Sequence, residues 1–376
     1  MVDTMALLLP FLRSGRPART AARGAGAVGA SGAARVSGAA GAHGAAGAAG
    51  AAGAAGAAGA SGAFDGDVLL DAPDARLGPV LVAAARGEHA PAAALLAATA
   101  EHAEWEHRDR YVRRLAAFAR SRPDWFRTWS ATAPDDPGAL LVGAQLAVDR
   151  AWDSPARAEL LRQVSPLITA AAGGDHRDPV PWRLALDHAR GARAGHRYFE
   201  ELWEAAVRRA PHHYGCHVAA LRYLAASWHG AHRECLDFAE PAAQDAPADA
   251  LVQALPVRAV FAYLTDGCGP EVPRARLDAA ADRAVALSSR LPAADPWPAQ
   301  IRNLLAYVLL RLARRAEALE QLRLTGPYAT SFPWERVSED PLGHFLRVRE
   351  ALHGASGEPE ERPLRGHGGP VRSLGH

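Results

Sequence analysis

Between about residues 64 and 354 the chain repeats a single pattern, roughly 10 to 18 residues of helical periodicity followed by proline or glycine. In "FEELWEAAV" the apolar positions Phe199, Leu202, Trp203, Ala206 and Val207 fall at i, i+3, i+4, i+7 and i+8, one stripe of a helix. Ile301, Leu304, Leu305, Val308, Leu309 and Leu312 repeat the spacing, and Tyr111, Leu115, Phe118 and Ala119 give a weaker version. A strand would need alternation bounded by turn residues, and no such stretch occurs. Helix starts carry the expected chemistry. Asp136 precedes Pro137, an N-cap followed by a first-turn proline, and "DSPARAELL" and "DPVPWRLAL" repeat the device. In "EWEHRDRYVR" the pairs Glu104/Arg108, Glu106/Arg110 and Asp109/Arg113 lie at i,i+4 and read as a solvated helix face. Helices joined by short loops run back beside their neighbours. The expected fold is therefore all-α, antiparallel helical hairpins stacked as a solenoid.

Three segments follow from the same reading: a tail over 1–63, the helical-repeat domain over 64–354, and a short tail over 355–376. The first is Ala/Gly-rich low complexity ending in Gly-Ala-Ala triplets, too poor in apolar surface to offset its ordering entropy, and is expected to be disordered. The last, rich in Gly, His and Arg, is expected to be flexible. "MALLLPFL" near the start lacks the preceding positive charge of a signal peptide, and no stretch reaches the roughly twenty apolar residues of a membrane span.

Composition removes several chemistries. The chain contains no lysine, which excludes a phosphate-loop lysine, a kinase strand lysine, a pyridoxal Schiff base and a Ser–Lys pair. A formal net charge of +1 with no basic stripe gives no reason to expect nucleic acid. Three scattered cysteines, Cys216, Cys235 and Cys268, form no disulfide framework and suit a reducing cytoplasm. Residues 24–29 match the dinucleotide glycine pattern by letter only, since no strand precedes them and no acidic residue follows at the required distance.

The segment "NLLAYVLLRLARRAEALEQL" resembles a tetratricopeptide hairpin, with small Ala313 near the bend and Ala316 and Ala318 beyond it, although Arg302 stands where the usual tryptophan would be. A wider resemblance covers about Leu77 to Leu264. Pro179-Val180-Pro181-Trp182, Ala189-Arg190-Gly191 and Trp228-His229-Gly230-Ala231 are similar to the signatures of a tetratricopeptide-like family of helical bacterial proteins of unknown function. The Arg-Gly pair of that family after Trp152 is absent here. The resemblance implies the solenoid fold and lends no catalytic residue.

The histidines and cysteines near the middle invite a metal reading. His213, Cys216, His217, His229, His232 and Cys235 are zinc-type ligands. With a bend at Trp228 to Gly230, His217 lies about 16 Å along the helix axis from that bend while His232 lies beside it, so the two clusters do not meet. Cys235 shares a stripe with Phe238, Ala239 and Ala242 and reads as a small core residue. The expectation is no metal and no cofactor.

The nine tryptophans mostly brace hairpins, and some could line a groove. Candidate groove or bend residues are Trp182, Arg190, Trp203, Trp228 and His229, with Gly191 and Gly230 as structural bends. The sequence thus points to a non-catalytic adaptor or regulatory module that binds a protein or peptide partner. A metal-dependent enzyme or sensor using the clusters at 212–235, and a small-ligand sensor with an aromatic pocket, are the rivals. No catalytic residue, nucleic acid or membrane partner is expected.

Overall fold

The computed structural model describes residues 67–225, 231–266 and 271–354, and the expectations for the two tails, for Trp228, His229 and Gly230, and for Cys268 lie outside them. A short strand β1 (Leu69–Leu70) leads into α1 (Leu77–Ala85), α2 (Ala90–Glu101), α3 (Trp105–Ser121), α4 (Asp124–Thr132), α5 (Pro137–Trp152), α6 (Arg157–Ala172) and α7 (Val180–Gly191). Then follow α8 (His196–Arg209), α9 (Tyr214–Leu224), α10 (His232–Asp245), a 3-10 turn (Leu251–Ala254), α11 (Leu255–Asp266), α12 (Arg274–Ser288), α13 (Ala299–Arg311) and α14 (Arg315–Thr325). Strand β2 (Tyr328–Ala329), the turn α15 (Ser331–Trp334) and α16 (Pro341–Gly354) complete the described chain. None of these helices is long and apolar enough to cross a membrane.

The all-α class is as the periodicity predicts. Phe199, Leu202, Trp203, Ala206 and Val207 are all buried, as are Ile301, Leu304, Leu305, Val308, Leu309 and Leu312. Asp136 caps α5 by accepting the Ala139 N–H at 2.8 Å, and Asp178 accepts the Val180 N–H at 2.8 Å at the start of α7. At α6 the device is displaced: Ser154 accepts from the Ala156 N–H at 3.1 Å and the helix begins only at Arg157. Helices pack most heavily on chain neighbours, α5 on α6 and α13 on α14 above all. Several reversals use non-glycine residues in the left-handed region, Ala103, Arg193 and Ala313 among them. Arg302 is fully buried and donates to the carbonyls of Ser288, Leu291, Pro292 and Leu324, which ties the C-terminal ends of α12 and α14 together.

One feature was not expected from the pattern. β1 and β2 pair in parallel, with Leu69 opposite Tyr328 and Leu70 opposite Ala329, so the first described residues return to the last hairpin. Two-residue strands are too short to show a period of two. The helical array is thereby fastened between its ends. α3 also meets the far side: Arg110 donates to the carbonyls of Pro296 and Trp297, and His107 stacks on Trp297 at 3.9 Å.

Candidate functional site

α3 places Glu106, Asp109, Arg110, Arg113, Arg114 and Ala117 at i, i+3, i+4, i+7, i+8 and i+11, a second stripe beside its apolar one. That stripe lines a cavity of about 320 Å³. The opposite wall comes from Gly215, Val218 and Arg222 of α9 and Arg258 of α11; Trp297, Ile301 and Phe332 close it from the C-terminal side. The sequence reading of this face as solvated is therefore corrected. Of the i,i+4 pairs only Asp109–Arg113 forms, at 3.0 Å. Arg108 is buried and turns to Asp178 at 2.6 Å, Arg110 turns to backbone carbonyls, and Glu106 accepts the Tyr214 N–H. Charge spacing alone does not distinguish an inward charged stripe from an outward one.

Beneath the cavity lies a network of buried ions. Arg183 of α7, fully buried, reaches Asp109 at 2.7 Å and Asp187 at 3.4 Å and donates to Gln145. Burial opposes the Asp109 charge, but Arg113 and Arg183 hold its carboxyl well below the usual range. Asp187 is shared among Arg183, Arg190 at 3.8 Å and Arg222 at 4.0 Å. Gly215 is required by this packing: a Cβ there would stand 2.4 Å from Asp109 Oδ2 and 3.0 Å from His213 Cε1. Glu106 behaves oppositely to Asp109. Burial pushes its pKa up to about 8, with the Tyr214 N–H offsetting and the Asp109 charge reinforcing the rise.

The described histidines and cysteines of the two clusters each engage their own neighbours. His213 caps α9, with Nδ1 3.1 Å from Cys216 Sγ, and His217 Nε2 donates to the Pro211 carbonyl at 2.7 Å. His232 packs on Tyr263 and lies 3.9 Å from Asp266 of α11. Among the described residues no three His, Cys, Asp or Glu side chains are grouped to hold a metal ion. The His213–Cys216 contact has the separation of a nucleophile–base pair, but both residues are buried and neither lines the cavity. Burial raises the Cys216 pKa well above a free thiol's and lowers that of His213 to about 4, the reverse of an activated pair.

The described residues among those singled out from sequence, Trp182, Arg190, Gly191 and Trp203, pack against different neighbours. Trp203 is buried against His217 and Phe238, and Trp182 lies under Arg209 with Cζ 4.2 Å from its ring centroid. Arg190 sits 4.1 Å over Trp152, whose ring also meets Arg157 at 4.5 Å. Gly191 is the last residue of α7, and a Cβ there would come 2.5 Å from Leu161 Cδ1 and 2.9 Å from Trp152 Cζ2. It serves close packing, and the turn itself falls on Arg193. Trp182, Arg190 and Trp203 do not line the cavity. Of the residues that do, Arg258 had a legible signal: "LPVRAVFAYL" carries it as the one charge in ten residues.

Compared with known proteins, no family model matches the chain, and no curated protein and no solved structure gives a match.

Proposed function

We propose that the protein is a non-catalytic helical-repeat binding module of the tetratricopeptide-like kind, and that it takes a short segment of a peptide or protein partner into the cavity between α3, α9, α11 and α13. The observation that carries this is the composition of the walls: they offer charged and aromatic recognition groups, with no activated nucleophile among them. The buried free thiols of Cys216 and Cys235 suit a reducing compartment. A small-molecule ligand is the second reading, favoured by a volume of about 320 Å³, at the small end of ligand pockets.

The test is selection of displayed random peptides on the wild type and on Ala117→Trp. Ala117 is an exposed cavity-lining residue, so the indole would obstruct the cavity without entering the core. Peptides that bind the wild type and lose at least tenfold in affinity on the variant support the reading. Peptides that bind both equally, or none at all, count against it.

A further inference from the structure

Among the described residues, four arginines are nine-tenths or more buried: Arg108, Arg183, Arg258 and Arg302. Three of them are well supplied with acceptors. Arg108 holds Asp178 at 2.6 Å and donates to the Leu96 carbonyl at 2.6 Å. Arg183 holds Asp109 and Gln145, and Arg302 donates to four backbone carbonyls and the Ser288 hydroxyl. Arg258 differs. It is 8% exposed, lies with Cζ 4.1 Å from the Phe332 ring centroid, and has neither hydrogen bond nor ion pair among the described residues. Its guanidinium thus lines the cavity with the Phe332 ring face beside it and no acid partner among the described residues.

Its cavity neighbour Arg222 is little better supplied. The nearest carboxylate oxygen is Asp187 Oδ1 at 4.0 Å, beyond hydrogen-bonding distance; Arg190 approaches the same oxygen at 3.8 Å, while Arg183 takes Oδ2 at 3.4 Å. Loss of solvation around this partly exposed side chain, and then the positive charge of Arg258, lower the Arg222 pKa. The other lining carboxylates do not answer this surplus. Asp71 is engaged by Arg114 and Ser331, Asp109 by Arg113 and Arg183, and Glu106 accepts the Tyr214 N–H with its pKa raised to about 8. Glu335 is exposed and forms no ion pair among the described residues.

We propose that the cavity is an oxoanion site in which Arg222 and Arg258 receive a carboxylate or phosphate group of the ligand, with Phe332 holding the Arg258 fork toward it. This rests on the cavity being the ligand site and names the chemistry of its anchor. A guanidinium fork matches the paired oxygens of either group, and an arriving anion supplies the acceptor that Arg258 lacks.

The test is titration of the full chain with sodium phosphate and, separately, sodium succinate, by calorimetry and thermal shift, against sodium chloride at matched ionic strength. Phosphate or succinate should bind and raise the melting temperature beyond the chloride control, and Arg258→Gln and Arg222→Gln should each weaken binding about tenfold or more. Circular dichroism and the anion-free melting temperature establish that the variants are folded. Response to phosphate alone identifies a phosphoryl anchor, to succinate alone a carboxylate anchor, and both outcomes support the site. No response beyond chloride, or an equal response in folded Arg258→Gln, overturns it. If the anions fail while displayed peptides still prefer the wild type over Ala117→Trp, the oxoanion site falls and the binding module stands. If the peptides fail as well, both fall.

Discussion

Asp71 accepts the backbone N–H of Ser331 at 3.0 Å across 260 positions of sequence. The same carboxylate takes the Ser331 hydroxyl and the Arg114 guanidinium, the latter at 2.8 Å. One side chain thus joins the first described residues, the charged face of α3 and the turn after β2, beside the Leu69–Tyr328 pairing. All three parts line the cavity, so its shape depends on this junction.

Asp71→Ala should therefore destabilise the fold by about 1–3 kcal/mol at neutral pH. Burial raises the Asp71 pKa, but the Arg114 and Ser331 contacts outweigh it and leave the group below its ordinary value. A carboxylate of depressed pKa stabilises above its unfolded pKa and loses that contribution as pH falls through the folded value. Urea unfolding at pH 7 and pH 3 should show the gap between wild type and variant shrinking at the lower pH.

Glu106 gives the opposite sign. An unfolded glutamate releases its proton near pH 4.3, whereas Glu106 in the fold holds it to about 8. Between those values the unfolded chain is favoured as pH rises. Glu106→Gln keeps an acceptor for the Tyr214 N–H and removes the titration. Its melting temperature should exceed the wild type's at pH 8 and match it near pH 4. The comparison must be between variants, because buried His213 and His217, with pKa values lowered to about 4, make the fold lose stability as pH falls from 6.5 to 4.

Gly215→Ala should cost about 1–3 kcal/mol, because the Asp109 oxygen it would strike is fixed by Arg113 and Arg183 and cannot withdraw. A melting temperature unchanged from the wild type would contradict the close approach of α9 to α3.

Arg302 and Arg258 look alike in sequence, each an arginine near the start of a mostly apolar helix, and should respond oppositely to Met. Arg302→Met removes the hydrogen bonds of a fully buried guanidinium to four carbonyls and the Ser288 hydroxyl, and should destabilise by about 3 kcal/mol or more. Arg258→Met removes a buried charge without an acid partner and should leave stability unchanged or raise it by about 1 kcal/mol. Chemical denaturation of both variants, without added anion, distinguishes a structural arginine from one kept for a ligand.

How much of this was legible in the sequence depended on whether the signal was local. Apolar stripes such as Phe199 to Val207 encode burial through their own spacing, so the all-α class followed directly. The Asp136 cap is local too. The α3 face was misread because Glu106/Arg110 and Asp109/Arg113 have the same spacing whether they face water or a cavity. What turned them inward was Arg183, 74 positions from Asp109 in sequence, and the Trp297 carbonyl, 187 positions from Arg110. Trp182 and Trp203 do not line the cavity for a related reason: Trp203 packs on His217 and Phe238 of the next two helices, while the cavity-lining Trp297 stands in a loop without periodicity.

The most direct measurement is a crystal structure with selenate, an oxoanion whose position is revealed by anomalous scattering. The account predicts a selenate peak within hydrogen-bonding distance of both Arg222 and Arg258, inside the cavity and facing Phe332. A cavity of this shape with selenate bound only elsewhere, or Arg258 paired with a carboxylate of the chain, would contradict it.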